Sequence, residues 1–146
     1  MKRVILSVVA LLLLAGSAFA QKKYEYNEYY YQKSTLFAQL PIESSDIVFL
    51  GDSQTDGCEW AEILGMDNVK NRGISSDVIQ GLSDRLEPIL KGKPQKLFIL
   101  CGVNDISHVI SADSIATAMR KLLLKVKNGT PTTKIYLQSL LPIDNS

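Results

Sequence analysis

The sequence predicts an α/β fold: a parallel sheet with helices on both faces. Three observations carry that expectation. The runs Ile47-Val48-Phe49-Leu50 and Leu97-Phe98-Ile99-Leu100 are apolar at every position, the pattern of strands covered on both faces. Between such runs lie segments whose apolar residues recur at helical spacing. The connections are short, so the order reads β-α-β-α-β-α-β, which favours parallel strands joined by right-handed crossovers.

The elements follow in order. Residues 24–39 carry five Tyr, with Tyr26, Tyr30, Leu36 and Leu40 near helical spacing. They read as a helix whose rings pack on the domain, or as an aromatic platform for a sugar. Pro41 ends it. Residues 47–50 form the first strand, bounded by Gly51, and residues 55–64 a weak helix. Residues 69–72 form a second strand ending at Gly73. A helix is expected over 75–90, with Ser75 at its start and Val78, Ile79, Leu82, Leu86, Ile89 and Leu90 on its apolar side. Lys91-Gly92-Lys93-Pro94 stops it. Residues 97–100 form the third strand. Residues 111–126 form an amphipathic helix with Ile115, Ala118, Met119, Leu122, Leu123 and Val126 on one face. A fourth strand is expected over 134–141.

Composition narrows the function. The chain has 146 residues, 16 Lys+Arg against 15 Asp+Glu, and 46% hydrophobic residues. Near-neutral charge speaks against a nucleic-acid binder, and no Cys/His cluster has zinc-ligand spacing. No cofactor is implied. Residues 1–20 read as a cleavable signal peptide: Lys2 and Arg3, an apolar stretch, then Ala18-Phe19-Ala20 with the cut after Ala20. The mature chain is expected to be secreted or periplasmic, with no stable membrane insertion after cleavage. Residues 21–45 form an N-terminal helical extension, and residues 46–146 the main domain. Export permits a Cys58–Cys101 disulfide, although Cys101 closes an apolar run and suits a buried, small hydrophobic role.

In open parallel sheets ligands bind beyond the C-terminal strand ends. Polar clusters stand at three of those ends: Gly51-Asp52-Ser53, Arg72-Gly73-Ile74 and Gly102-Val103-Asn104-Asp105. Ser53 is placed as a rim nucleophile or as a helix N-cap. Gly73 lets the backbone approach a ligand, or simply turns the chain. Asn104 offers neutral N–H donors to an oxyanion, or caps the strand end in an Asx-turn. Together they have the parts for acyl transfer.

The stretch Phe49-Leu50-Gly51-Asp52-Ser53-Gln54-Thr55-Asp56-Gly57 resembles the first block of the GDSL/SGNH hydrolase family. Asn71-Arg72-Gly73-Ile74-Ser75 is similar to its second block, and Gly102-Val103-Asn104-Asp105 to its third. Gln54 stands where the family name has Leu. The resemblance implies a flavodoxin-like three-layer α/β/α sandwich with strand order 2-1-3-4-5. It implies Ser53 as nucleophile, with the Ser53 N–H, the Gly73 N–H and the Asn104 side chain as oxyanion hole. The substrate implied is an O-acyl ester, such as an O-acetyl ester, of a small molecule or carbohydrate.

The family's fourth block, Asp-x-x-His after a fifth strand, is not found after the fourth strand here. The sequence is therefore expected to be a fragment lacking the last strand and helix, and inactive by itself for want of a base. Asp105-Ile106-Ser107-His108 is also an Asp-x-x-His string, but it belongs to the third block. His108 is expected to be a solvated loop residue, a pocket-lining one, or, least of the three, the base. A non-catalytic binding module that keeps the pocket is the alternative function. A nucleotide binder is disfavoured, because no Gly-rich phosphate motif is present.

Overall fold

The computed structural model describes residues 24–140. The signal peptide expected over 1–20 and the end of the strand expected up to 141 lie outside them. The described chain runs α1 (Glu28–Gln39), β1 (Ile47–Gly51), α2 (Ser53–Asp56), α3 (Trp60–Leu64), β2 (Val69–Gly73), α4 (Ile79–Asp84), α5 (Glu87–Gly92), β3 (Lys96–Leu100), α6 (Val103–Ser107), α7 (Ala112–Gly129) and β4 (Lys134–Leu137). The four strands form one sheet in the order β2-β1-β3-β4. All three pairings are parallel, as the apolar runs and crossovers require.

Alternation along β1 divides the core. Val48 and Leu50, with Leu97 and Ile99 of β3, face Ile79 and Leu82 of α4, Leu86 at the N-cap of α5, Ile89 of α5, and Leu122 and Val126 of α7. Ile47 and Phe49 face the other way, with Val69, Trp60 and Phe98. On that second face Trp60, Phe49, Phe98 and Tyr136 stack ring on ring, at centroid distances of 4.2, 4.8 and 4.6 Å. The helix α1 buries Tyr30 and Phe37 against Ile74. The packing role expected for this tyrosine-rich helix thus holds at Tyr30, whose hydroxyl donates to the Gly81 carbonyl at 2.9 Å.

Two expected helices are broken, each for a local reason. The helix expected over 75–90 becomes α4 and α5, and its first residues form a turn with Ser76 at φ 65°. Val78, not Ser75, is the N-cap. Pro88 sits in the first turn of α5; having no N–H, it cannot donate to the carbonyl four residues back, so the helix cannot run on from α4. The helix expected over 55–64 divides at Gly57. The loop expected after β3 holds a short helix, α6. Strand β4 spans four residues rather than the eight expected, ending at Leu137. Cys58 and Cys101 are free thiols, and Cys101 is buried, so the disulfide is not formed.

Candidate active site

Parallel register sets Gly51 beside both Gly73 and Leu100. The chain segments leaving β1, β2 and β3 therefore emerge side by side at one rim. Ser53, Gly73 and Asn104 lie on those three segments.

Ser53 is the first residue of α2 and is exposed. The N-cap is Asp52, whose Oδ1 accepts the Gln54 N–H at 3.1 Å. Capping thus leaves the Ser53 hydroxyl unused, and the cap alternative falls to its neighbour. No acceptor pairs with the Ser53 N–H among the described residues. Asp52 is fully buried and its Oδ2 has no partner there. Burial, then the nearby Asp105, pushes its carboxyl up.

Gly73 departs from expectation. Its N–H donates to Asn71 Oδ1 at 2.7 Å instead of remaining open at the rim. A Cβ at Gly73 would overlap the backbone of Thr55 and Asp56. Gly73 is needed because α2 packs directly on the end of β2. Asn71 strengthens that contact: its Nδ2 donates to the carbonyls of Thr55, Asp56 and Cys58 at 2.9, 3.2 and 3.0 Å.

Ser76 is the residue the sequence reading missed. It is exposed, with φ 65°, a left-handed conformation that costs a non-glycine residue about 1–2 kcal/mol. Its N–H has no acceptor among the described residues. The preceding residue is fixed: Ser75 donates its N–H and its Oγ–H to Asp56 Oδ2 at 3.1 and 2.9 Å. Asp56 also takes the Tyr29 hydroxyl at 2.9 Å and the Lys33 ammonium at 3.0 Å. Burial pushes the Asp56 carboxyl up, but Lys33, Tyr29 and Ser75 outweigh it and hold it below the usual carboxylate range. The loop bearing Ser76 is thereby tied to α2.

Asn104 lies in α6 and is half-buried. Its Nδ2 donates to the Asp77 carbonyl at 2.8 Å. That uses one of two amide N–H groups; the other has no acceptor among the described residues. Asp77 is itself held by Arg85, whose Nε lies 2.8 Å from Asp77 Oδ2. Burial pushes the Asp77 carboxyl up to about 6, against the pull of Arg85. The remaining guanidinium nitrogens donate to the carbonyls of Arg72 and Gly51 at 2.8 and 3.0 Å. Cys101 is packed nearby, its sulfur 3.8 Å from the Asp77 carbonyl oxygen, and burial pushes its thiol up.

Asp105 and His108 do not form a hydrogen-bonded pair among the described residues. The Asp105 carboxylate accepts the Ile79 N–H, at 3.2 and 3.4 Å to its two oxygens, and burial raises it. His108 is exposed, its Nδ1 3.4 Å from the Tyr24 hydroxyl. Among the described residues no group of three or more His, Cys, Asp or Glu is placed to hold a metal ion, and no helix is long and apolar enough to cross a membrane.

Ser53 is thus exposed on the segment leaving β1, and among the described residues the N–H groups of Ser53 and Ser76 and one amide N–H of Asn104, on the segments leaving β1, β2 and β3, have no acceptor. Such donors can stabilise an oxyanion formed by attack of the Ser53 hydroxyl on an acyl carbon.

Solved structures share this fold. A structure described as a platelet activating factor from Streptococcus pneumonia matches at 25% identity and a TM-score of 0.69, over 94% of this chain and 63% of that one. A GDSL-like lipase structure from Parabacteroides merdae matches at 26% identity and a TM-score of 0.55, over 67% of this chain and 60% of that one. An acetyl xylan esterase matches at 24% identity and a TM-score of 0.52, over 63% and 56%. The chain spans less than two thirds of the length of each of these structures. No curated protein matches the chain. The profile of the GDSL-like Lipase/Acylhydrolase family matches residues 49–146, which include all three strand-end segments, and the chain belongs to that family.

Proposed function

We propose that the protein is a serine ester hydrolase acting on O-acyl esters, with short acyl groups such as acetyl on a small molecule or carbohydrate. The observation that supports this reading is the exposed Ser53 on the segment leaving β1, with N–H groups of Ser53, Ser76 and Asn104, on the segments leaving β1 and its two neighbouring strands, that have no acceptor among the described residues. Ser53 attacks the acyl carbon, and the oxyanion is held by the N–H groups of Ser53 and Ser76 and the second amide N–H of Asn104. Gly73 serves the close packing of α2 on β2.

A serine hydroxyl is a weak nucleophile unless a base takes its proton. The contacts of His108 do not support it as that base: its ring meets Tyr24, and Asp105 is engaged by Ile79. The family's Asp-x-x-His block is the better source. The leader-like residues 1–20 support action outside the cytoplasm, secreted or periplasmic.

The test is turnover of p-nitrophenyl acetate and butyrate by the full-length protein. Ser53→Ala is expected to abolish it with the melting temperature unchanged, and His108→Ala to leave it intact. Turnover by Ser53→Ala within tenfold of wild type would end the assignment.

A further inference from the structure

We propose that Arg85 is a positioning residue that keeps the three oxyanion donors in mutual register, acting through the turn at Asp77; this rests on the reading of Ser53 as nucleophile. The donors come from three separate segments, and no single backbone element joins them. Arg85 touches all three attachments. Its Nη2 holds the Gly51 carbonyl, two residues before Ser53, at 3.0 Å. Its Nη1 holds the Arg72 carbonyl, at the end of β2, at 2.8 Å. Its Nε pairs with Asp77 Oδ2 at 2.8 Å. Asp77 follows Ser76 in the chain, and its carbonyl receives the Asn104 amide at 2.8 Å.

The geometry suits arginine and no other residue. A planar guanidinium presents donors in a fixed fork, so three acceptors are held at fixed mutual angles. A lysine ammonium at the same place is a point charge that retains the carboxylate but not both carbonyls. The Arg85 side chain is only 5% exposed and its Asp77 partner 0%, which shields the fork from competing water. Its guanidinium also lies 6.0 Å from the Phe37 ring centre, so α1 closes over it. Arg85 touches neither Ser53 nor any place a substrate would occupy in this reading; it acts through the donors alone.

Such a residue alters the transition state more than the ground state, because oxyanion donors bind chiefly the charge that develops during reaction. The experiment compares kcat and KM for p-nitrophenyl acetate in the full-length wild type, Ser53→Ala and Arg85→Lys. A fourth protein carries Arg85→Met with Asp77→Asn, which removes both buried charges together and so leaves no unpaired ion. Arg85→Lys is expected to lower kcat about 10²-fold, the scale of a small misplacement in an active site, with KM within about threefold of wild type. The double variant is expected to lose kcat similarly while melting near wild type. A folded Arg85→Lys or double variant with kcat within about threefold of wild type, or one in which only KM rises, overturns the positioning role and leaves the nucleophile reading standing. If wild-type turnover is not Ser53-dependent, the reading and this inference fall together.

Discussion

One amide N–H of Asn104 is bonded to the Asp77 carbonyl, and the other has no acceptor among the described residues. Asn104→Ala is therefore expected to lower kcat by ~10² to 10³, the usual loss for one oxyanion donor, with little change in KM. A steady-state comparison decides this; a pure KM effect would make Asn104 a binding residue instead. Gly73→Ala is expected to lower activity by a different route, since its Cβ must push α2, and Ser53 with it, away from β2. Ser76→Gly keeps the backbone N–H and relieves the left-handed strain, so activity is expected to stay within about twofold and the melting temperature to hold or rise. Loss of activity in Ser76→Gly would show that the serine side chain, and not the backbone N–H alone, serves the site. The rim positions of Ser53 and Asn104 were legible in the sequence because each lies on the segment that follows a buried strand. Ser76 was not, because glycine is the usual sign of a positive φ and serine gives none. The contact of the Gly73 N–H with Asn71 was not legible, because a glycine at a strand end can serve close packing as well as a free N–H.

The helix α1 shows how an element outside the matched family segment joins the site. Tyr29 and Lys33 hold Asp56, Tyr30 holds Gly81, and Phe37 lies under Arg72 and Arg85 at 5.0 and 6.0 Å. Because the folded Asp56 carboxyl titrates below its ordinary value of 3.8, its contribution to stability is present above that value. It is lost as pH falls below 3.8 and through the folded value. Between pH 6 and 3 the melting temperature of wild type is thus expected to fall more steeply at the acid end than that of Asp56→Asn. Parallel curves for the two proteins would show that Asp56 does not tether α1. Strand positions and the core face of α7 were readable from apolar periodicity. The breaks between helices were not, because Val78, Leu82, Leu86 and Ile89 keep helical spacing across the interruption that Pro88 enforces.

At the scale of the molecule, the sheet is unevenly protected. On one face α4, α5 and α7 cover β1 and β3. At the far edge β4 has no further strand among the described residues, and it exposes Tyr136 at 42% and Leu137 at 51%. An uncovered edge with apolar side chains invites pairing with another chain. A polypeptide limited to residues 24–140 is therefore expected to self-associate in light scattering, and Leu137→Lys to reduce it. A monodisperse monomer at high concentration would contradict this. The strand order 2-1-3-4 is the one the family resemblance implies for the first four strands; the apolar runs and short connections alone pointed only to parallel strands with crossovers. The extent of β4 was not legible, since apolar residues continue past its end at Leu140 and Leu141.

The aromatic ladder on the second face has an optical consequence. Trp60 is the one tryptophan of the chain. Its indole is stacked on Phe49 and donates to the Thr55 carbonyl at 2.9 Å, two residues from Ser53. Within these 146 residues, emission excited at the red edge of protein absorbance therefore comes from one chromophore bonded to the helical turn that carries Ser53. Any event that shifts that turn changes the surroundings of that ring. Trp60 is thus a built-in fluorophore through which movements of the Ser53 turn can be followed in stopped flow without a label.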